Sequence, residues 1–524
     1  MRIRNFLAGA AVFALMSTTA FADVTLNRGS AADPESLDPH KTSTVYEADL
    51  LRDMFTGLMA QDKDANVIPG AAESYVMSAD GKTYTFKLRA DGKWSDGSPV
   101  TAKDFVFSWQ RVVNAETASE YAYLLAPVVN AEDITAKKMK PEELGVKAID
   151  DHTFEVHLKA VTPYFLEMLT HQATYAVSQA NVEAHPKDFT KAGNLVSNGA
   201  YVLAEFIPND HIKLVKNAQF YDAANVKIDI VNYIPNEDRG AAVKRFEAGE
   251  LDMYADLPTE QLADLRKKFG DEIKIGPYLG TYYYAFKTTK KPWDDVKLRQ
   301  AVSMAIDRDY LAEKVWGNSM IPAYSFVPPG VVGYEGPLLE YSKMSQLDRE
   351  DAAKKILTEM GYTEAKPLKM EIRFNTSENH KNVAIAIQSQ LKPLGIEVSM
   401  VNTDTKTHFG FLEQHGNFDV ARAAWIADYK DPENFLALCK SGTGNNYSEY
   451  TNKDYDALLA KAAGEPDPKV RMKDLADAET IGVTRDLCVV PLLYYSSHNI
   501  VSSKLKGWDI NVMDSHPTRW MSKE

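Results

Sequence analysis

The sequence predicts an α/β fold divided into several domains, on three observations. Period-2 runs and helical runs are interleaved along almost the whole chain, the pattern of an α/β protein. The chain has 524 residues, well past the size at which one hydrophobic core stops growing. No internal repeat recurs at a period of roughly 20 to 50 residues, which argues against a solenoid or propeller.

The elements follow in order. "MRIRNFLAGAAVFALMSTTAFA" carries Arg2 and Arg4, a short apolar core and Ala20-Phe21-Ala22. That is the n-region, h-region and A-x-A site of a signal peptide cleaved after Ala22. The apolar run falls short of the roughly 20 residues a membrane span needs. No Cys follows it, so a lipid anchor is not expected, and the mature chain is read as exported and soluble. "TYTFKL" (83–88) and "HTFEVHL" (152–158) alternate as half-buried strands. "TAKDFVFSWQRVV" (101–113) is a helix opened by Thr101 and Asp104 at capping-box spacing. A hairpin is expected around Pro208–Asn209–Asp210, and a buried strand at 227–234 followed by a helix near "RGAAVKRFEAGEL".

Two longer helices are predicted at 294–315, unbroken, and at 349–362, the second ending at Gly361 in the C-cap place. "LKMEIRFN", "IEVSMVN" and "FDVARAAW" read as strands spaced by helices. The tyrosine-rich runs "PYLGTYYYAFK" (277–287) and "PLLYYSSHN" (491–499) suit either crossings between two lobes or ordinary sheet strands.

Charge and cysteine count narrow the function. With 59 basic and 73 acidic residues the net charge is −14, which argues against nucleic acid and anionic membranes as partners. Cys439 and Cys488 are the only cysteines. In an oxidising compartment they are expected to form one bridge, against the alternative of two buried thiols.

Catalytic signatures are absent: there is no H-E-x-x-H, no G-x-S-x-G and no P-loop. Ser503 and Lys506 match S-x-x-K without its companions. Asp62, Asp64, Asn66 and Glu73 match EF-hand positions, but Val67 replaces the required Gly and Pro69 disturbs the loop. No cofactor or metal is expected. His380 lies in the first turn of a helix that Ser377 opens, with Val383, Ile387, Leu391 and Leu394 as its apolar stripe. Free N–H groups there favour an anion; a solvated surface histidine is the plainer alternative.

"ARAAWIADYKDP" (421–432) poses the sharpest question. Read as a buried strand, it places residues 422, 424, 426 and 428 on one face, with Arg422 and Asp428 roughly 20 Å apart. They are too far apart to pair with each other.

"GSAADPESLDPHKTS" (29–43), the long block at 69–112, "LGVKAIDDHTFEVHL" (144–158), "NGAYVL" (198–203), "RFEAGELDM" (245–253) and "FDVARAAWIADYKDP" (418–432) resemble the family 5 extracellular solute-binding proteins of peptide ABC transporters. The resemblance covers essentially the whole mature chain. It implies a two-lobed periplasmic binding protein fold, with two crossing strands as hinge and an extra domain inserted in the first lobe. Mapped onto this chain, the first lobe is 23–59, 180–279 and 496–524. The insert is 60–179 and the second lobe 280–495.

The resemblance also implies a ligand site. Asp428 would meet a peptide ammonium, and the backbone of Ala424, Trp425 and Ile426 would pair with the peptide as an added strand. Glu47 and its neighbours in "TVYEADL" would face the peptide's other edge. Arg422 and His380 would meet the terminal carboxylate, a guanidinium being suited to bidentate binding. Tyr278, Tyr283 and Trp316 complete the candidate set. Trp316 stands where relatives commonly have a lysine, which puts a preference for longer peptides in doubt. Gly280 and Ile426 occupy the positions of a family disulfide, so that bridge is absent.

The implied function is capture of peptides in the periplasm and delivery to the permease and ATPase subunits of an ABC importer, by a monomer that is not an enzyme. Alternatives are another solute on the same fold, such as a murein peptide or an opine, and an exported peptidase or chaperone.

Overall fold

The structure is a computed structural model describing residues 23–524. The expected leader over 1–22 lies outside the described residues.

An eleven-stranded sheet runs through both halves of the molecule. In the first half, Thr25–Ser30 lies parallel between Ile230–Pro235 and Met253–Ala255. The hairpin Tyr201–Ile207/His211–Lys216 extends this edge, and Asn209 at its turn has φ 61°. In the second half, Leu368–Asn375 lies parallel between Ile396–Thr403 and Val420–Ile426.

The two tyrosine-rich runs join the halves. Ile273–Phe286 and Val490–Val501 are the longest strands of this sheet and pair antiparallel with each other. Val490–Val501 takes Met253–Ala255 as its neighbour at one end, while Ile273–Phe286 takes Val420–Ile426 at the other. Their register shifts between Pro277 and Thr281 and again between Tyr282 and Tyr283.

A four-stranded antiparallel sheet stands apart, in the order Ala72–Met77, Thr83–Leu88, Thr153–His157, Val146–Asp150. The helix Ala102–Val113 packs on it, with Trp109 edge-on to Phe154 at 5.2 Å. Asp104 accepts from the Thr101 N–H at 2.9 Å and from its hydroxyl at 2.8 Å, so the helix start is tied as its spacing predicts. The apolar core under this sheet is continuous with that of the first half, while two further clusters fill the second half.

The helix expected over 294–315 is not continuous. Val296–Ala305 ends at Ile306, which is extended at ψ 115°, and Asp307 caps a new turn by accepting from the Tyr310 N–H. The cause is Arg308, fully buried. Its guanidinium donates to the carbonyls of Ser303 (2.9 Å) and Ile306 (3.3 Å), and to Pro491 of the crossing strand (2.9 Å). A straight helix would not let one side chain reach both its own last turn and that strand. The helix Gln346–Glu359 ends near Gly361, whose φ of 84° suits glycine.

Candidate functional site

The sheet leaves one backbone edge open at its centre. Leu368–Asn375 pairs with Val420 and Ala421 only, whereas Ile273–Phe286 pairs with all of Val420–Ile426. From Ala423 to Ile426 the second edge of the strand has no strand partner among the described residues. Such an edge is a template for an added extended chain.

A cleft of about 560 Å³ lies where this strand meets the first half. Thr44–Tyr46 and Gly29 contribute from the first half, Trp316, His380 and Arg422 from the second, and Tyr278 and Tyr495 from the crossing strands. It is built by the register break: Tyr278 sits inside the break, so its ring turns into the cleft.

Arg422 is 6% exposed and forms no ion pair among the described residues. Nη1 donates to Asn375 Oδ1 at 3.1 Å and Nη2 to the Tyr495 hydroxyl at 3.0 Å. The guanidinium lies over the Tyr282 ring, 4.8 Å from its centroid, which favours a cation. Its Nε is buried without a partner. A buried charge with no counter-ion is costly unless something completes it.

His380 and Trp316 stand beside it. His380 occupies the first turn of Glu378–Leu391 and is 8% exposed, so the solvated alternative does not hold. Burial, then the nearby Arg422, pushes its imidazole down to about 3, keeping it neutral near pH 7. Its ring lies 5.5 Å from Tyr282 and 6.5 Å from Trp316. His380 Nδ1 and Trp316 Nε1 are also buried without a partner. Ser377 makes no side-chain cap bond, so the first N–H groups of that helix stay open beside the cleft. The Arg422 guanidinium, without an acid partner among the described residues, and the helix start at Ser377 thus line a cleft that can accept an anion.

Asp428 lies two residues beyond the end of the strand, not on it. The proline and aspartates that follow bend the chain into the short helix Glu433–Leu436. Asn434 then accepts from the Asp428 N–H at 3.0 Å and donates to its carboxylate at 3.3 Å. The Tyr123 hydroxyl donates to the same carboxylate at 2.6 Å. Burial pushes this carboxyl up to about 6, against those two hydrogen bonds, and no cation pairs with it among the described residues. Tyr123, Asn434 and Trp425 line a second cleft of about 630 Å³, and Asp428 is tethered to two of them, Tyr123 and Asn434, beyond the open strand edge. Trp425 is held there by its indole N–H, which donates to Asn434 at 2.9 Å.

Neither Glu47 nor Tyr283 reaches a cleft with its side chain. Glu47 is buried and spends its carboxylate on its own helix start, accepting from the backbone N–H groups of Glu35 (2.9 Å), Ser43 (3.2 Å) and Thr44 (3.1 Å). Its neighbours Thr44, Val45 and Tyr46 face the cleft instead. Tyr283 points to the opposite face of its strand and packs in the core, edge-on to Phe326 at 5.2 Å. Alternation along the strand explains this, since Tyr282 and Tyr284 share the other face. Cys439 and Cys488 form a disulfide, and both are fully buried. Gly280 and Ile426 lie opposite each other in register; a side chain at Gly280 would collide with Ile426.

Sequence reasoning missed Asn375, Tyr495, Tyr123 and Asn434. Each is separated from its partner by 6 to 305 residues, and no local pattern marks such pairs.

A profile described as bacterial extracellular solute-binding proteins, family 5 middle, matches residues 66–447. The chain is similar to the periplasmic oligopeptide-binding protein OppA of Salmonella typhimurium, 40% identical over 488 residues that cover 92% of this chain and 89% of the relative. Among solved structures it resembles the Escherichia coli murein tripeptide binding protein MppA, with TM-score 0.84 and 38% identity, covering 97% of this chain and 99% of the other. It also resembles Haemophilus influenzae OppA in complex with RPPGFSPFR, with TM-score 0.82 and 37% identity over 96% of this chain and 99% of that one.

Proposed function

The chain belongs to the bacterial extracellular solute-binding proteins of family 5, and on that premise we propose that it captures peptides in the periplasm and hands them to an ABC importer. One observation carries the reading: an unpaired, buried guanidinium, Arg422, lies at the start of a strand whose backbone edge is open from Ala423 to Ile426. A peptide offers the two complements, an extended backbone and a terminal carboxylate.

In this reading the peptide adds beside Ala424, Trp425 and Ile426, with its carboxylate toward Arg422, His380 and Trp316. Its ammonium reaches Asp428, and its other edge lies along the segment around Glu47. The lobes are those mapped above, 23–59, 180–279 and 496–524 against 280–495, with 60–179 inserted. Closure at the Pro277–Thr281 break would sequester the ligand. The protein performs no bond chemistry and works as a monomer with the permease and ATPase subunits.

Calorimetry with a short alanine peptide and its C-terminal amide tests the reading. The free acid should bind, the amide should bind far more weakly, and Arg422→Gln should remove the difference. Small-angle scattering should give a smaller radius of gyration with saturating peptide. An unchanged radius, or equal affinity for acid and amide, contradicts it. Recovery of the peptide intact separates a binder from a peptidase.

A second reading rests on the likeness to the murein tripeptide binding protein: a cell-wall peptide in the same cleft. Native mass spectrometry of the protein purified from its own cells identifies the bound solute and decides between them.

A further inference from the structure

The wall of the Arg422 cleft contributed by the C-terminal segment carries an aspartate with an unused oxygen. Asp514 lines the same cleft as Arg422. Its Oδ1 accepts from Asn499 Nδ2 at 2.9 Å and lies 2.9 Å from His516 Nε2. Its Oδ2 has no partner among the described residues. The side chain is 15% exposed, and among the described residues no lysine or arginine pairs with it and His516 is its one ion-pair partner.

The carboxylate is also firmly aimed. Asn499 belongs to the crossing strand Val490–Val501. His516 is stacked on Trp508 with centroids 4.1 Å apart. Asp514 itself has φ 47°, a left-handed backbone that costs a non-glycine residue energy and that the surrounding bonds maintain. The other acids of this wall are differently employed: Asp49 contacts Arg52 at 3.4 Å and Arg28 at 3.8 Å, and Asp256 pairs with Arg239 at 2.6 Å. Asp514 is thus an anion without a strong cation, in one volume with Arg422, a cation without an anion.

We infer that Asp514 receives a cationic side chain of the ligand, carried by the last or the penultimate residue, so that the site selects peptides with a basic residue at the carboxylate end. This rests on the peptide reading, in which Arg422 takes the terminal carboxylate. A lysine ammonium or a guanidinium donates well to a carboxylate oxygen that is free and partly shielded. Successive side chains of an extended peptide point to opposite faces, so one of the two positions is selected and not both.

The test is calorimetry at low and moderate salt with alanine tetrapeptides carrying one lysine, at the last or the penultimate position, against the same peptides with norleucine there. Norleucine keeps most of the side-chain length and removes the charge. The wild type should favour lysine over norleucine about tenfold at one position, the scale of a charge-assisted hydrogen bond. Asp514→Asn should abolish that preference and leave the norleucine peptide's affinity unchanged. Asn tolerates the left-handed backbone, and Asp514→Gly, which suits it equally, gives a second route if the first variant misfolds. Equal binding of lysine and norleucine peptides at both positions overturns the inference while leaving the peptide reading intact. A preference that survives both variants also overturns it. Failure of every peptide to bind overturns both.

Discussion

The hydroxyl of Tyr123 donates to Oδ2 of Asp428 at 2.6 Å, joining the first half of the molecule to the segment just past the second half's open-edged strand. Around the same spot Tyr164 stacks on Tyr429 at 5.0 Å, and Lys430 donates to the Ala65 carbonyl at 3.1 Å. Asp428 is therefore a half-buried carboxylate at the junction between the halves, held by neutral donors and paired with no cation among the described residues.

Replacing Asp428 by Asn keeps the shape and removes the charge opposite a ligand ammonium. Losing one partner of a desolvated pair costs about 2–5 kcal/mol. Calorimetry should show that loss for peptides with a free N-terminus. N-acetylated peptides should bind the wild type as poorly as free peptides bind the variant.

The pH dependence has a defined sign. With its carboxyl raised to about 6, Asp428 is neutral in the ligand-free protein below that pH. Affinity for an ammonium should be level near pH 7 and fall by up to about tenfold per unit below pH 6. Tyr123→Phe removes a hydrogen bond that favours the anion, so the fall should begin at higher pH. Stability runs the other way. The folded-state value lies above the unfolded one, so this group's contribution is present below about pH 4 and is lost as pH rises through 6. Calorimetric titrations at stepped pH and thermal melts of the ligand-free protein check the two trends.

Trp316 lines the Arg422 cleft with a neutral ring, edge-on to Tyr282 at 6.1 Å. Ligands of roughly two to four residues are expected to bind better than five-residue ones. Trp316→Lys should improve the longer peptides more than the shorter. A length series of one repeating peptide measures both, and a uniform effect on all lengths would place the carboxylate elsewhere.

The Cys439–Cys488 bridge spans 49 residues. On the chain-entropy model a loop of that size contributes roughly 4 kcal/mol. The double serine variant should unfold at correspondingly lower denaturant in the absence of reductant, and adding reductant to the wild type should reproduce much of the shift.

Legibility in the sequence followed the range of the interactions involved. The Thr101–Asp104 capping box and the Asn209 turn are set within a few residues, and both stand where local spacing puts them. The break at Ile306 was invisible because it answers to Arg308 reaching Pro491, 183 residues away. Asp428 reads in the sequence as the end of a strand face. In the structure Asn434 and Tyr123 capture it after the strand has ended. Tyr282 and Tyr283 are indistinguishable in "TYYYAF", yet they pack into different core clusters on opposite faces, and only Tyr282 lies under Arg422.

By itself the sequence determined what periodicity, capping and long matched blocks can carry: the interleaved α/β elements, the two crossing strands, the family, and the charged residues of the 421–432 segment. Only the tertiary structure decided which of those charges are left without partners. Whether Arg422 meets an acid, whether Asp514 keeps an oxygen free, and where the Val420–Ile426 edge opens are set by packing between segments 15 to 73 residues apart. Burial and pairing are properties of that assembly, because the cost of a desolvated charge depends on everything around it and on nothing in its own stretch of chain.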